Sequence, residues 1–326
     1  MRSIATLALM AGTVAIASGQ TQPRFRADVD LLVVSAIVRD AGNALVRGLT
    51  RDDFELLEDG KPVTIATFAE ASTDARTSLD DGRFVVLLLD DYSTHPQYTQ
   101  RIKEVAVGFA DRMGPKDVVS VVMMNGGSSV TTQRPAEVRA AINRSKAYGK
   151  AFVSPRNPSR HAMDNISSLA GQLAKVPHRR KVLVCIGPAS TCNPATHVDG
   201  SQGEAGIAMR DSARANLTTY VIDPLGLTET RSRSTRAIDD RVTRAPGVED
   251  RGQGFRLYED GFAFESGGLA FANTNDYESA ITQVWEESGN YYLLGYEPAR
   301  RDNRRHSIEV RIKKPDLKVR ARRTRG

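Results

Sequence analysis

A group of side chains that could do chemistry follows a short apolar run. Phe84–Leu89 are six apolar residues in a row, and Asp90, Asp91, Ser93 and His95 come soon after them. Serine, histidine and aspartate are the residue types of a hydrolase triad, but a triad is defined by geometry and not by nearness in the sequence. The alternative is that the aspartates accept hydrogen bonds from loop amides or cap a helix. Because no metalloprotease, nucleophile-elbow or phosphate-loop motif occurs elsewhere in the chain, the Asp90–His95 cluster is the one hydrolase hypothesis.

The only two cysteines, Cys185 and Cys192, lie seven residues apart. In an oxidising compartment such a pair can form a disulfide. Sequence spacing does not fix the geometry that a disulfide needs. A buried free Cys185 beside an unrelated Cys192 in a loop therefore stays open as the alternative.

The elements that must position these residues alternate between strands and helices from Arg83 onward. Apolar runs typical of buried strands occur at 84–89, 118–124, 182–186 and 217–222. This alternation predicts an α/β fold with a mostly parallel sheet covered by helices on both faces. Ligands of such sheets bind at the carboxyl ends of the strands, which is where Asp90 and Asp91 would lie.

Both ends of the chain are predicted to be rich in β-strands. Residues 29–38 suit a buried strand, and Asp59-Gly60 separates two runs of a predicted hairpin. Residues 308–312 and 317–321 alternate apolar and charged side chains around a Pro-Asp turn, which predicts a second hairpin. Isolated hairpins are marginally stable, so we expect the two ends to form one β-sandwich with the α/β domain inserted between them.

The predicted organisation has five parts. They are a signal peptide (1–19), an N-terminal β segment forming the first part of the sandwich (20–68), a linker (69–82), the α/β domain (83–290) with a long polar excursion (225–258), and C-terminal strands forming the second part of the sandwich (291–326).

Export is predicted from the first residues. Arg2 precedes an uncharged apolar stretch, 4–17, which is too short to span a bilayer and ends in small residues. This is the pattern of a cleavable secretory signal, and an uncleaved membrane anchor is the alternative. We therefore expect the mature protein in the periplasm, in the cell envelope or outside the cell, without a transmembrane segment.

The positive charge of the chain is concentrated at its C-terminal end. Residues 300–326 hold twelve Lys or Arg against three Asp or Glu, a net of +9 in a chain of formal charge +6. One interpretation is a solvated sheet face whose charges discourage edge pairing. The other is contact with an acidic polymer or lipid through residues 300–325. Since the basicity belongs to one element, we expect no nucleic-acid binding.

Four segments together resemble a known family, the VWFA-related domains of exported bacterial proteins, a branch of the von Willebrand factor A-like folds. The segments are VRDAGNALVRGLTRDDFELLEDGKPV (38–63), FVVLLLDDYS (84–93), GGLAFANTNDYESAITQVWEESGNYYLLGYEP (267–298) and IEVRIKKPDLKVRARR (308–323). The resemblance implies a Rossmann-like A-type domain used for protein interaction or adhesion. It also implies a candidate Mg²⁺ site built on a D-x-S-x-S motif, with a threonine and a further aspartate from later loops.

This chain departs from that motif. With Asp90 aligned to the leading aspartate, Tyr92 replaces the first serine while Thr94 keeps a hydroxyl. A slip of one residue would use Asp91 and Ser93 but would place His95 at the last position.

A later ligand position is lost as well. The strand 182–185 is followed by Ile186-Gly187-Pro188, where the family has an aspartate. Mg²⁺ needs a near-octahedral shell of oxygens, so the remaining candidates, Asp90, Asp91, Ser93 and Thr94, predict a degenerate metal-ion-dependent adhesion site.

The function expected from the sequence is therefore that of an exported, non-catalytic interaction or adhesion-type module. It would bind a protein partner through the carboxyl-end loops or the 225–258 excursion, without a cofactor. Two alternatives are a Mg²⁺-dependent adhesin and the hydrolase using the Asp90–His95 cluster.

Overall fold

The structure is a computed structural model. It describes residues 31–72, 82–126, 129–149, 157–176, 180–194, 203–227, 261–300, 302 and 304–325. The predicted signal peptide, most of the predicted linker and most of the polar excursion lie outside the described residues.

Fourteen strands and seven helices are assigned within the described residues. The strands are β1 (Leu32–Arg39), β2 (Phe54–Glu58), β3 (Lys61–Val63), β4 (Ile65–Ala71), β5 (Arg83–Leu89), β6 (Val118–Met123), β7 (Val130–Thr132), β8 (Arg180–Ile186), β9 (Leu217–Ile222), β10 (Ala270–Phe271), β11 (Tyr291–Tyr296), β12 (His306–Ile312), β13 (Lys318–Ala321) and β14 (Thr324–Arg325). The helices are α1 (Thr99–Ala110), α2 (Pro135–Arg144), α3 (Pro158–Leu173), α4 (Ala189–Cys192), α5 (Glu204–Arg214), α6 (Phe262–Glu265) and α7 (Tyr277–Gly289), with 3₁₀ turns at Arg51–Asp53 and Pro96–Tyr98.

The central sheet has six strands in the order β10-β9-β8-β5-β6-β7. All neighbours are parallel except β6 and β7, which are antiparallel. Numbered along the chain within this sheet, the order is 3-2-1-4-5-6, which is the Rossmann arrangement. The predicted mostly parallel sheet is confirmed.

Helices cover both faces of this sheet, which explains why its strands are apolar on both sides. Val85, Leu87 and Leu89 of β5 face α1, α2 and α7. Val86 and Leu88 of the same strand face α3 to α6. The described helices include none that is long and apolar enough to cross a membrane.

The two ends of the chain build a β-sandwich, as predicted. One sheet has the order β13-β1-β11-β4, and the other has β14-β12-β2-β3. Each sheet therefore mixes strands from both ends, with β1 paired to β11 and β2 paired to β12. Val34, Leu294, Leu56 and Ile308 are among the residues that meet in the core between the two sheets.

The predicted C-terminal hairpin is wrong. β12 pairs with β2 and β14, whereas β13 pairs with β1, so the two strands lie in opposite sheets. Their apolar residues still point into one core, as the alternation indicated. The pattern of period two fixes which face of a strand is buried, but it does not identify the neighbouring strand.

The predicted linker begins too early. β4 continues to Ala71 and pairs with Tyr291 of β11, so residues 69–71 are strand. Ala71 is buried beside Ile37 and Tyr291, and small alanine side chains gave no sign of this contact in the sequence.

Candidate functional site

The candidate site lies at the ends of the central strands. We call the loops after β5 (90–98), α2 (145–149), β8 (187–188) and β9 (223–227), together with α4, the carboxyl edge. Parallel strands end at the same side of a sheet, so these loops are neighbours. The backbone of Asp90 donates to Ile186 O at 2.9 Å, which joins the loops after β5 and β8.

Asp90 is fully buried and organises its own loop. Its Oδ1 accepts hydrogen bonds from the backbone amides of Tyr92, at 3.2 Å, and Ser93, at 2.7 Å. Its Oδ2 accepts from the hydroxyl of Ser93. The carboxylate therefore has the amide-binding role that was the alternative to metal ligation.

Asp91 connects three neighbouring loops. Its Oδ1 accepts from the amide of Asn125 at 2.8 Å, and its carbonyl oxygen accepts from the amide of Tyr148 at 2.8 Å. Thr94, the retained hydroxyl, is fully buried, and its Oγ1 has no hydrogen-bond partner among the described residues. Tyr92 is buried with its ring against that of His161, at 4.7 Å between centroids.

The end of β8 has the apolar Ile186 where the motif requires a carboxylate, and Ile186 is fully buried in the core. A Cβ at Gly187 would lie 2.4 Å from the Cβ of Asp90 and 2.9 Å from its Oδ2. Separations under 3.0 Å force something to move, so a side chain at this position would displace Asp90. The close approach of these two loops thus leaves no room for a side chain at Gly187.

Two residues of the site were not identified from the sequence. Asp223 follows β9 and is nearly buried; its Oδ2 accepts from the amide of Ala189 and its Oδ1 from that of Leu225, both at 2.9 Å. Thr191 Oγ1 lies 3.1 Å from Ser93 Oγ. Asp223 could have been identified from the sequence, because it follows an apolar run as Asp90 does.

The site places two carboxylates in a poorly solvated setting. Burial raises the pKa of Asp90 above its ordinary value. Burial, with a smaller effect of the nearby Asp90, raises the pKa of Asp223. Removing a carboxylate from water disfavours its charged form, and a like charge adds to this.

The residues present do not fit the octahedral shell of a magnesium ion. The oxygens of Asp90 and Asp223 accept hydrogen bonds from the amides and hydroxyl of their own loops. Within the described part of the chain, no group of three or more His, Cys, Asp or Glu residues could hold a metal ion. Mg²⁺ needs several hard oxygen ligands free to turn towards it.

The hydrolase cluster does not assemble into a triad. Ser93 Oγ bonds directly to Asp90 and lies beside Thr191, and in the described part of the chain no histidine lies between this serine and this aspartate. His95 caps the turn that follows it, its Nδ1 accepting from the amide of Gln97 at 3.4 Å. A nucleophile and its base must lie within hydrogen-bonding reach of each other.

Cys185 and Cys192 form a disulfide, with an S–S distance of 2.10 Å. Of the two alternatives left open by the sequence, pairing is the one that the structure has. Both cysteines are fully buried, and the bridge joins the end of β8 to α4. It therefore holds in place the helix that carries Thr191 and the amide of Ala189.

The exposed large apolar side chains of the described residues are few, and two of the three lie at the carboxyl edge. Tyr148 is 53% exposed and Leu227 is 60% exposed. The third, Ile207 on α5, is 39% exposed. Tyrosine is enriched at protein interfaces, where its ring is buried and its hydroxyl stays hydrated.

Three cations of the basic C-terminal segment, Arg311, Lys314 and Arg325, are paired with acids of the sandwich. Arg311 Nε lies 2.7 Å from Glu309, and Lys314 Nζ lies 3.2 Å from Asp53. Arg325 forms an ion pair with the buried Glu58. These contacts favour the interpretation of a solvated, internally compensated sheet face.

Comparison with known proteins gives structural likeness only. No protein-family model matches the chain, and no curated protein matches it. The structure is similar to the crystal structure of the SpRpn10 VWA domain, with 10% identity and a TM-score of 0.28, over 47% of this chain and 79% of that one. It is also similar to a von Willebrand factor type A protein from Catenulispora acidiphila, with 15% identity and a TM-score of 0.32, over 91% of this chain and 74% of that one.

Both superpositions score low, so the fold assignment depends on the strand order and the antiparallel edge strand. The Rossmann-like fold that the sequence predicts is confirmed by the strand order, which fits the expected von Willebrand factor A-like arrangement.

Proposed function

We propose that this protein is an exported, non-catalytic interaction module of the adhesion type, which binds a protein partner at its carboxyl edge without a metal ion. One observation carries the proposal: the carboxylate of Asp90 is occupied by the amides and hydroxyl of its own loop. In a metal-dependent site this carboxylate, the first of the motif, would be one of the metal ligands. Here it makes the loop rigid instead, so the metal-ion-dependent adhesion site is degenerate.

The carboxyl edge has the properties of a recognition surface. Loops on a rigid α/β scaffold are common places for binding. Asp91 and the disulfide tie these loops together, which lowers the entropy lost on binding. Tyr148 and Leu227 project there as exposed apolar side chains, whose burial against a partner would supply affinity.

Export is supported by two separate features. The first residues have the basic start, short apolar stretch and small residues of a secretory signal. The Cys185–Cys192 disulfide is of the kind that persists in oxidising compartments outside the cytoplasm.

The absence of catalysis is supported by the geometry of the Asp90–His95 cluster. The Ser93 hydroxyl donates its hydrogen bond directly to the carboxylate of Asp90. In a triad the serine would instead bond to a histidine, and the aspartate would orient that histidine. A fold alone does not decide function, so this part of the proposal depends on the site and not on the likeness to A-type domains.

The test is capture of a partner from a cell-envelope extract by the mature protein, with three variants in parallel. Leu227→Asp and Tyr148→Asp place charge at the carboxyl edge, and both should reduce capture strongly. Arg311→Glu changes the exposed face of the sandwich and is the matched control, which should capture as the wild type does. If Arg311→Glu abolishes capture and the two edge variants do not, the partner binds at the basic strands. That result would contradict the proposal.

A further inference from the structure

A layer of buried charge lies between the sandwich and the amino ends of the central strands. Glu287 of α7 is fully buried there. It accepts hydrogen bonds from Arg39 Nε at 3.1 Å and Nη2 at 2.9 Å, from the Tyr220 hydroxyl at 2.9 Å, and from Arg320. One carboxylate therefore compensates two arginines, one from each end of the chain.

Two further arginines in this layer have no carboxylate among the described residues. Arg180, the first residue of β8, is 6% exposed, and Arg322, which follows β13, is 5% exposed. Arg322 Nη2 donates to Asn216 Oδ1 at 3.0 Å, and the Arg180 guanidinium lies over the ring of Tyr291, 4.5 Å from its centroid. Neither contact supplies a negative charge.

Hydrogen-bond donors in this layer are also left without acceptors. Nε and Nη1 of Arg180 and Nε of Arg320 are buried and have no hydrogen-bond partner among the described residues. A buried donor that makes no hydrogen bond is costly, and more so when it is charged. By contrast, Arg83 nearby donates to Asp117 at 3.0 Å, so arginines at this end of the sheet can be fully compensated.

The guanidinium groups of Arg180 and Arg322 repel each other. Burial, and then the charge of Arg180, lower the pKa of Arg322 to about 10, which still leaves it protonated at pH 7. With Arg39 and Arg320, these are four cations against the single carboxylate of Glu287 among the residues of this layer that the structure describes. Buried charge without a counter-charge is strongly unfavourable, so a negative charge beyond those of the described residues would stabilise the layer.

We propose that a small inorganic anion, chloride or an oxyanion such as phosphate, binds in this layer between Arg180 and Arg322. Guanidinium N–H groups are strong donors to such anions, and Nε and Nη1 of Arg180 are the open donors. Because Arg180 belongs to the central sheet and Arg322 to the C-terminal strands, the anion holds the α/β domain against the sandwich.

The first test asks whether the anion is present. Protein purified in buffer with both chloride and phosphate is dialysed, denatured in acid, and its released anions are measured by ion chromatography. We expect about one equivalent per chain from the wild type. In anion-depleted protein, chloride or phosphate should raise Tm by about 5 °C once it exceeds its Kd a hundredfold. Millimolar concentrations at constant ionic strength avoid the general stabilisation by such salts, and separate titrations show which of the two anions binds.

The second test places the anion. Arg322→Met and Arg180→Met should each abolish the anion-dependent rise in Tm, while Arg311→Met on the exposed face should keep it. In depleted buffer the two buried variants should be as stable as the wild type or more so, since they remove like-charge repulsion. If Arg322→Met does not fold, Arg322→Lys, which retains the positive charge, takes its place. This variant should weaken the anion-dependent rise in Tm. The proposal is overturned if wild-type protein releases no anion and shows no anion-dependent Tm, or if the effect persists in Arg322→Met or Arg180→Met.

Discussion

Glu287 is the residue whose replacement tests the junction between sandwich and α/β domain most severely. It is fully buried, and it bonds to Arg39 of the first strand and to Arg320 of the thirteenth. Glu287→Gln keeps the shape of the side chain but removes its charge. Both arginines, whose side chains are only 14% and 15% exposed, would then lose their counter-charge.

The expected cost is about 3–5 kcal/mol in the free energy of unfolding, the range for breaking a buried ion pair from one side. A loss of this size lowers Tm by roughly 6 °C or more. Glu278→Gln is the matched control on the same helix, because Glu278 pairs with Arg112 but its side chain is 73% exposed. Exposed ion pairs contribute about 0–1 kcal/mol, so the control should be nearly neutral.

The assay is urea denaturation followed by fluorescence of Trp285, the only tryptophan of the chain. Trp285 is a suitable reporter because it lies on α7 and the guanidinium of Arg83 stacks on it at 4.0 Å.

The pH dependence of the Glu287→Gln effect gives a second check. Burial alone would raise the pKa of Glu287, but Arg320 and Arg39 together hold it below its usual value of 4.5. A carboxylate with a lowered pKa in the folded state stabilises above its unfolded pKa and loses this contribution as pH falls through the folded pKa. The difference between wild type and Glu287→Gln should therefore be constant above about pH 5.5 and shrink below pH 4.5. A Glu287→Gln effect no larger than that of Glu278→Gln would refute the reasoning.

Four further predictions follow from other parts of the molecule. Cys185→Ser removes the disulfide and should lower the free energy of unfolding, measured by urea denaturation, by about 2.5 kcal/mol according to the loop-entropy relation. Reductant should have no effect on this variant, which lacks the disulfide, and a difference between wild type and variant no larger than that background effect would contradict the prediction. Millimolar Mg²⁺ should move the Tm by less than about 1 °C, whereas occupancy at a hundred times the Kd would add about 2.7 kcal/mol. Hydrogen bonds to Asp59 and Asp302 raise the pKa of His306 above 6.5, so the stabilisation by protonated His306 is complete below pH 6.5 and is lost as pH rises through the folded pKa. His306→Gln should flatten this fall in Tm, and an unchanged pH profile would be evidence against stabilisation by these two hydrogen bonds. N-terminal sequencing of exported protein should begin within 18–21, and an intact first methionine would exclude cleavage.

The layers of the fold could be predicted from the sequence more reliably than the pairing of the strands within each layer. Buried runs such as Phe84–Leu89 read as strands because they are apolar on both faces. The shared sandwich followed from the need of both terminal segments for a covering layer. The pairing of residues 308–312 with 317–321 was wrong because the two strands find partners in the N-terminal segment, and periodicity does not show this.

The candidate site was predicted only in part for a similar reason. The loop of Asp90 was identified, but the second carboxylate comes from Asp223, one strand further along the sheet than the family motif indicates. Arg180 and Arg322 gave no signal, because a charged residue at the end of a strand looks solvent-exposed in the sequence. Their burial results from docking of the sandwich, which no local pattern records.

The central claim is that the carboxyl edge binds a partner without a metal. Its most direct test is the affinity of the mature protein for the partner captured from envelope extract, measured in excess Mg²⁺ and again in EDTA, for wild type and Leu227→Asp. We predict that the two Kd values of the wild type agree within about twofold, and that Leu227→Asp weakens binding about tenfold or more, as expected for a residue at the centre of an interface. Binding that disappears in EDTA, or that is unchanged by Leu227→Asp, would contradict the claim.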